Sequence, residues 1–122
     1  RTERRIAAMA DRPNPLKLNP LQAKTLALLQ ELARQPQFAS PLDGDAGVLV
    51  RYLPSPHGDH FHIGDAVVRS RDATGLANPS VYGALERKGL VATSPEGLPI
   101  LTAAGLAYQT GLTDQILHRS NH

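Results

Sequence analysis

Apolar side chains after residue 20 recur with the spacing of an α-helix. Asn19 and Pro20 are typical of a helix start, because Asn caps the first turn and Pro suits the first helical position. The residues that then fall on one helix face are Leu21, Thr25, Leu28, Leu29 and Leu32. We expect this helix to end near Gln35, since Pro36 disfavours helical geometry in the residue before it.

The segments that follow favour extended structure. Residues 38–46 are rich in Pro, Gly and Asp and are expected to form a loop. Residues 48–53 are a candidate strand, and residues 60–63 are a second one. In the second strand, alternation places Phe61 and Ile63 on one face and two histidines on the other.

Two interpretations stay open for residues 64–75. Gly64 and Asp65 can begin a short helix that ends at Gly75. The run Ala66-Val67-Val68 can equally extend the strand before it. The chain then repeats its first start motif: Asn78-Pro79 predicts a helix over residues 79–88, which Gly89 closes in the left-handed conformation.

A hairpin and a last helix are expected at the C-terminal end. Residues 90–94 and 98–101 flank the three-residue turn Pro-Glu-Gly, in which Gly supplies a positive φ. Thr102 is expected to cap a final helix, whose apolar residues past Gly111 are Leu112, Ile116 and Leu117. Because little chain remains to cover these side chains, we expect a homodimer.

The predicted elements define an α+β fold. Three short sequence segments resemble segments of a known family. They are Gly-Leu-Ala-Asn-Pro-Ser-Val at 75–81, Leu-Glu-Arg-Lys-Gly-Leu-Val at 85–91 and Leu-Thr-Ala-Ala-Gly at 101–105. Over roughly residues 60–110 the chain resembles the winged helix-turn-helix superfamily, specifically MarR-like and PadR-like transcriptional regulators. The resemblance implies a small antiparallel β wing and sequence-specific binding to double-stranded DNA, with a recognition helix at about residues 78–88.

Composition and charge fit one small domain with an uneven charge distribution. The 122 residues are 41% hydrophobic and contain no Cys, which excludes disulfides, thiolate metal sites and thiol nucleophiles and is compatible with the cytoplasm. Residues 1–18 carry five positive and two negative charges, and we interpret them as a basic N-terminal arm before a domain at 19–122. Residues 43–65 carry one Arg, four Asp and three His, whereas residues 66–94 carry four positive and two negative charges. A polyanion is therefore expected to avoid the middle of the chain.

The resemblance assigns DNA contacts to the third helix and to nearby basic residues. Side chains on the helix face away from Val81 and Leu85 would meet bases in the major groove, and the basic residues would contact phosphates. The expected contact residues are Arg69, Arg71, Asn78, Ser80, Tyr82, Gly83, Arg87 and Lys88. Asn78 has a competing role as helix cap, and the hairpin tip carries Glu96 rather than a basic residue. A winged-helix module that binds another protein is the alternative function.

One cluster has metal-ligand character. His57, Asp59, His60 and His62 read His-x-Asp-His-x-His, and three imidazoles with a carboxylate suit Zn, Ni or Cu. Such a site would make the chain a metal-sensing regulator. The competing interpretation is an exposed hairpin tip whose histidines bind nothing.

We do not expect the chain to be an enzyme. It contains neither a nucleophile elbow nor a glycine-rich phosphate loop. A hydrolase built on His57, Asp59 and His60 would need a concave pocket, which a chain with 4% aromatic residues seldom supplies.

Overall fold

A buried helix stands at the centre of the fold. In the computed structural model, which describes residues 13–42, 44, 46–54 and 58–119, α1 spans Pro20–Ala33. A capping box closes its start: Asn19 Oδ1 accepts a hydrogen bond from Gln22 N at 2.8 Å, and Gln22 Oε1 accepts one from Asn19 N at 3.1 Å. Leu26, Leu28, Leu29 and Leu32 are fully buried, so α1 contributes more of the fully buried side chains than any other element.

Short strands and helices surround α1. The strands are β1 (Ala39–Pro41), β2 (Val48–Val50), β3 (His60–Ile63), β4 (Ala66–Arg69), β5 (Val91–Thr93), β6 (Pro99–Leu101) and β7 (His118–Arg119). The further α-helices are α2 (Pro79–Arg87), α3 (Ala103–Ala107) and α4 (Thr113–Ile116), and two 3-10 helices span Ser70–Asp72 and Thr74–Ala77. The described part of the chain is therefore a mixed α+β structure with antiparallel sheets, as the sequence predicts.

The first sheet has the strand order β1-β2-β6-β5, with every pair antiparallel. It packs against α1 through β1, β2 and β6. The predicted hairpin is confirmed as β5 and β6, and the strand expected at 48–53 is confirmed in shorter form as β2. The loop prediction for 38–46 is wrong in part, because β1 lies within it and pairs with β2.

The second sheet, β3-β4-β7, decides between the two interpretations of residues 64–75. Gly64 (φ +60°) and Asp65 form a two-residue turn between β3 and β4, so the short helix is wrong and the extended alternative is found. Ile63 pairs with Ala66, and both are buried in the core. Two 3-10 helices then lead the chain to α2.

The C-terminal helix predicted after Thr102 is present in two pieces. Thr102 Oγ1 caps α3 by accepting a hydrogen bond from Gly105 N at 3.1 Å, and the helix ends before Tyr108, whose backbone is extended. Ile116 and Leu117 are buried at 3% and 5% exposure, and α4 contacts α1. The reasoning that led to a homodimer is therefore wrong, because this chain covers its own C-terminal apolar residues.

The last residues of the predicted basic arm are attached to the domain. Asn14 Oδ1 accepts hydrogen bonds from Leu18 N at 2.7 Å and from the Tyr108 hydroxyl at 2.6 Å, and Leu18 is buried. Residues 1–12, which carry the other basic residues of that arm, lie outside the described residues.

Candidate nucleic-acid interface and histidine pair

Helix α2 has one buried face and one exposed face. Asn78 Oδ1 accepts a hydrogen bond from Ser80 N at 3.0 Å, and Pro79 occupies the first helical position. Val81, Ala84 and Leu85 are buried, and α2 packs against α1. The cap therefore occupies the side-chain oxygen of Asn78 that was also a candidate for contacting bases.

Small and basic residues make up the outward face of α2. Ser80, Gly83 and Arg87 follow one another at helical spacing, with Ser80 and Arg87 exposed and Gly83 half-buried. Arg87 Nη1 lies 3.5 Å from the position that a Cβ on Gly83 would take. Lys88, which follows the helix, is also exposed.

Tyr82 does not lie on that outward face. Its hydroxyl donates a hydrogen bond to the Leu76 carbonyl at 2.8 Å, and its ring is packed against the core. Burial raises the pKa of Tyr82 from 10.0 to about 12. Contact of Tyr82 with bases stays a prediction, and its hydroxyl would first have to leave the Leu76 carbonyl.

A groove of about 510 Å³ separates α2 from the β5–β6 hairpin. Its apolar lining residues include Leu53, Leu76, Pro79, Tyr82, Leu98 and Pro99. Charged groups in the lining come from Arg51 and Glu86. Leu53 is 44% exposed, and Tyr52, the residue before it in the chain, is 60% exposed. Sequence reasoning missed this groove, although two large apolar residues just after a strand were a possible sign of it.

Arg69 and Arg71 lie around a different concavity, of about 520 Å³. Asp59, His60 and Ser70 also contribute to its lining. Ser70 Oγ is buried and has no hydrogen-bond partner within the described part of the chain. The eight predicted DNA contacts therefore divide into the group on and next to α2 and this arginine pair.

The two described histidines of the predicted metal cluster face each other. His60 Nε2 lies 3.1 Å from His62 Nε2, and the rings are nearly perpendicular with centroids 4.8 Å apart. Asp59 Oδ1 lies 3.4 Å from His60 Nδ1. The prediction that both histidines share one strand face is confirmed by the register, which pairs them with Arg69 and Val67.

The full four-residue metal cluster is not found as one group. His57 lies outside the described residues. Among the residues that the structure describes, no group of three or more His, Cys, Asp or Glu side chains is placed to hold a metal ion. What the structure brings together is the pair of imidazoles with Asp59 beside one of them.

No protein-family profile, curated protein or solved structure matches this chain. Within the described ranges, no helix has the length and apolar character needed to cross a membrane. The function must therefore be argued from the side chains and their arrangement.

Proposed function

We propose that the chain is a winged-helix protein that binds double-stranded DNA and regulates transcription. The order of elements supports this proposal: α1 is followed by four strands, the two 3-10 helices, α2 and the β5–β6 hairpin. A winged helix-turn-helix has the same order with one strand in place of the four. β2, the second strand after α1, pairs with β6, the second strand of the hairpin, giving the order β2-β6-β5 within the first sheet. The two 3-10 helices stand where the fold usually has its middle helix.

The observation that carries the proposal is the outward face of α2. Ser80 and Gly83 are small enough for a nucleic-acid backbone or base to approach the helix closely. Arg87, one turn further on, can donate two hydrogen bonds to guanine or to a phosphate. The buried face formed by Val81 and Leu85 holds this surface in place against α1.

The surrounding charges define how DNA would lie. Lys88 continues the positive charge of Arg87 at the end of α2, whereas Glu96 at the hairpin tip repels phosphates. We therefore assign the phosphate contacts to Lys88, Arg69 and Arg71 and none to the hairpin tip.

The test is binding of a fluorescent DNA duplex at several salt concentrations. We expect Arg87→Gln to weaken binding and to reduce the slope of log affinity against log salt by about one. Arg34→Gln is the matched control, because Arg34 is an exposed arginine whose side chain is 69% accessible at the end of α1. Equal effects of the two substitutions, or an affinity that does not change with salt, would contradict the proposal.

The apolar groove supports a second candidate function, binding of a partner protein. Leu53 offers exposed apolar surface in the groove, and Glu86 makes that side of α2 unfavourable for phosphates. In that case Leu53→Glu would abolish capture of the partner, and Arg87→Gln would have little effect. DNA binding predicts the reverse order.

A homodimer remains a prediction that the covered C-terminal residues no longer support. A palindromic operator would require two copies with half-sites about one DNA turn apart. Light scattering decides the matter, since a dimer has twice the mass of the chain.

A further inference from the structure

We propose that His60 and His62 bind one divalent transition-metal ion through their two Nε2 atoms. This inference is independent of the proposed DNA binding. Imidazole nitrogens are ligands for Zn²⁺, Ni²⁺ and Cu²⁺, whereas Mg²⁺ prefers oxygen. The site is therefore suited to a first-row transition-metal ion that binds nitrogen, such as Zn²⁺ or Ni²⁺.

The distance between the two Nε2 atoms fits a shared ion. With metal–nitrogen bonds of about 2.05 Å, nitrogens about 2.9 Å apart subtend an angle of about 90° at the metal, and nitrogens about 3.4 Å apart subtend the tetrahedral angle. The observed separation of 3.1 Å lies between these values. One ion can therefore bridge the pair with small rotations of the rings, and water completes its coordination.

The β3–β4 hairpin holds the two rings in this arrangement. The residues alternate along β3, so Phe61 and Ile63 point to the other face, where Ile63 is 1% exposed. This anchoring keeps both histidines on the outer face. The backbone geometry of the pair is thus set before any metal binds, which lowers the entropy cost of binding.

Asp59 supplies the outer partner that metal-binding histidines commonly have. Its carboxylate lies 3.4 Å from His60 Nδ1 and accepts the proton that this nitrogen carries when Nε2 binds a metal. His62 meets the ion in the tautomer that has its proton on Nδ1. The carboxylate also partly offsets the charge of the ion.

Positive charge opposes the site. Arg69 is the cross-strand partner of His60, and Arg71 lines the same concavity. Their repulsion of a dication limits the affinity. Arg69→Gln is therefore expected to tighten metal binding several-fold, which a substitution that merely disturbed the fold would not do.

The experiment is a calorimetric titration of the full chain with ZnCl₂ or NiCl₂, with MgCl₂ as the negative probe. We expect one Zn²⁺ or Ni²⁺ per chain, a loss of affinity of about 100-fold in His60→Gln and in His62→Gln, and a loss of about tenfold in Asp59→Asn. His118→Gln is the control, since His118 is exposed on β7 and Val67 of β4 lies between it and His62 in the strand register.

Nuclear magnetic resonance of the histidine side chains gives a second measurement. Zn²⁺ should shift the Nε2 signals of His60 and His62 and leave that of His118 unchanged. Unchanged affinity in both Gln variants, an equal loss in His118→Gln, or no uptake of either metal would overturn the proposal.

Discussion

The contact between Gly75 and Thr25 tests how closely the 3-10 helix Thr74–Ala77 packs against α1. A Cβ built on Gly75 would overlap Thr25 Oγ1 and would lie 3.3 Å from Leu21 Cδ1 and from Thr25 Cβ. Thr25 is fully buried, and its hydroxyl donates a hydrogen bond to the Leu21 carbonyl at 2.8 Å. The hydroxyl therefore has no easy route away from an added methyl group.

The structure gives the expected free energies. Gly75→Ala should lower the free energy of unfolding by about 1–3 kcal/mol, the usual cost of overpacking. Thr25→Ala should cost about 1–2 kcal/mol, from a buried methyl group and a hydrogen bond. In the double variant the methyl group of residue 75 occupies the space that the hydroxyl leaves. We therefore expect Gly75→Ala to cost almost nothing in the Thr25→Ala background.

Urea unfolding followed by circular dichroism measures all four proteins. The predicted coupling is about 1–3 kcal/mol, well above the roughly 0.5 kcal/mol within which independent sites add. Gly83→Ala is the control, because its Cβ would meet the Arg87 side chain at an ordinary van der Waals distance of 3.5 Å and a helical Ala should stabilise by about 0.5–1 kcal/mol. Additive effects at residues 25 and 75 would refute this account of the packing.

Substitutions at three further positions test other contacts by the same unfolding measurement. The raised pKa of Tyr82 means that the folded state holds the phenolic proton more tightly, so stability should fall as the pH rises from 10 to about 12; Tyr82→Phe should show a smaller fall. Asn78→Ala should cost about 1 kcal/mol, and Asn78→Ser, which keeps a capping oxygen, should cost less. Gly105→Ala should cost about 3 kcal/mol, because the new Cβ would collide with the Leu90 carbonyl oxygen, a backbone atom that cannot rotate away. A Gly105→Ala protein as stable as the parent would contradict that packing.

Signals from residues close together in the sequence were sufficient to predict α1, α2 and the β5–β6 hairpin. The caps Asn19 and Asn78 act through neighbouring backbone groups, and Gly89 (φ +77°) closes α2 without reference to distant residues. Such interactions can be predicted from the sequence because both partners lie within a few positions of each other in the chain. The same reason explains why Thr102 was correctly assigned as a cap.

Tertiary contacts decided the elements that the sequence left open or did not predict. Residues 66–69 form a strand because β3 and β7 pair with them, and β7 lies about fifty positions further along the chain. β1 has no periodic pattern of its own and owes its conformation to β2. The final helix divides at Tyr108, whose hydroxyl donates a hydrogen bond to Asn14 at the other end of the domain.

In the candidate sites, too, some features could be predicted from the local sequence and others depend on tertiary packing. The shared face of His60 and His62 follows from strand alternation and was predicted. The position of Arg69 and Arg71 beside His60, rather than in the groove beside α2, depends on how the second sheet packs and was not predictable. The backbone partner of the Tyr82 hydroxyl likewise appears only once the 3-10 segment is in place.

The pairing of β7 with β4 has a practical consequence for shortened forms of the protein. β4 is an interior strand only because residues 118 and 119 cover one of its sides. In a chain cut after Leu117, β4 would become an edge strand. Its unpaired N–H and C=O groups could then form hydrogen bonds with a strand of another molecule. If removal of only the last few residues lowered the solubility, the cause would be the uncovered edge of β4 rather than damage to the core.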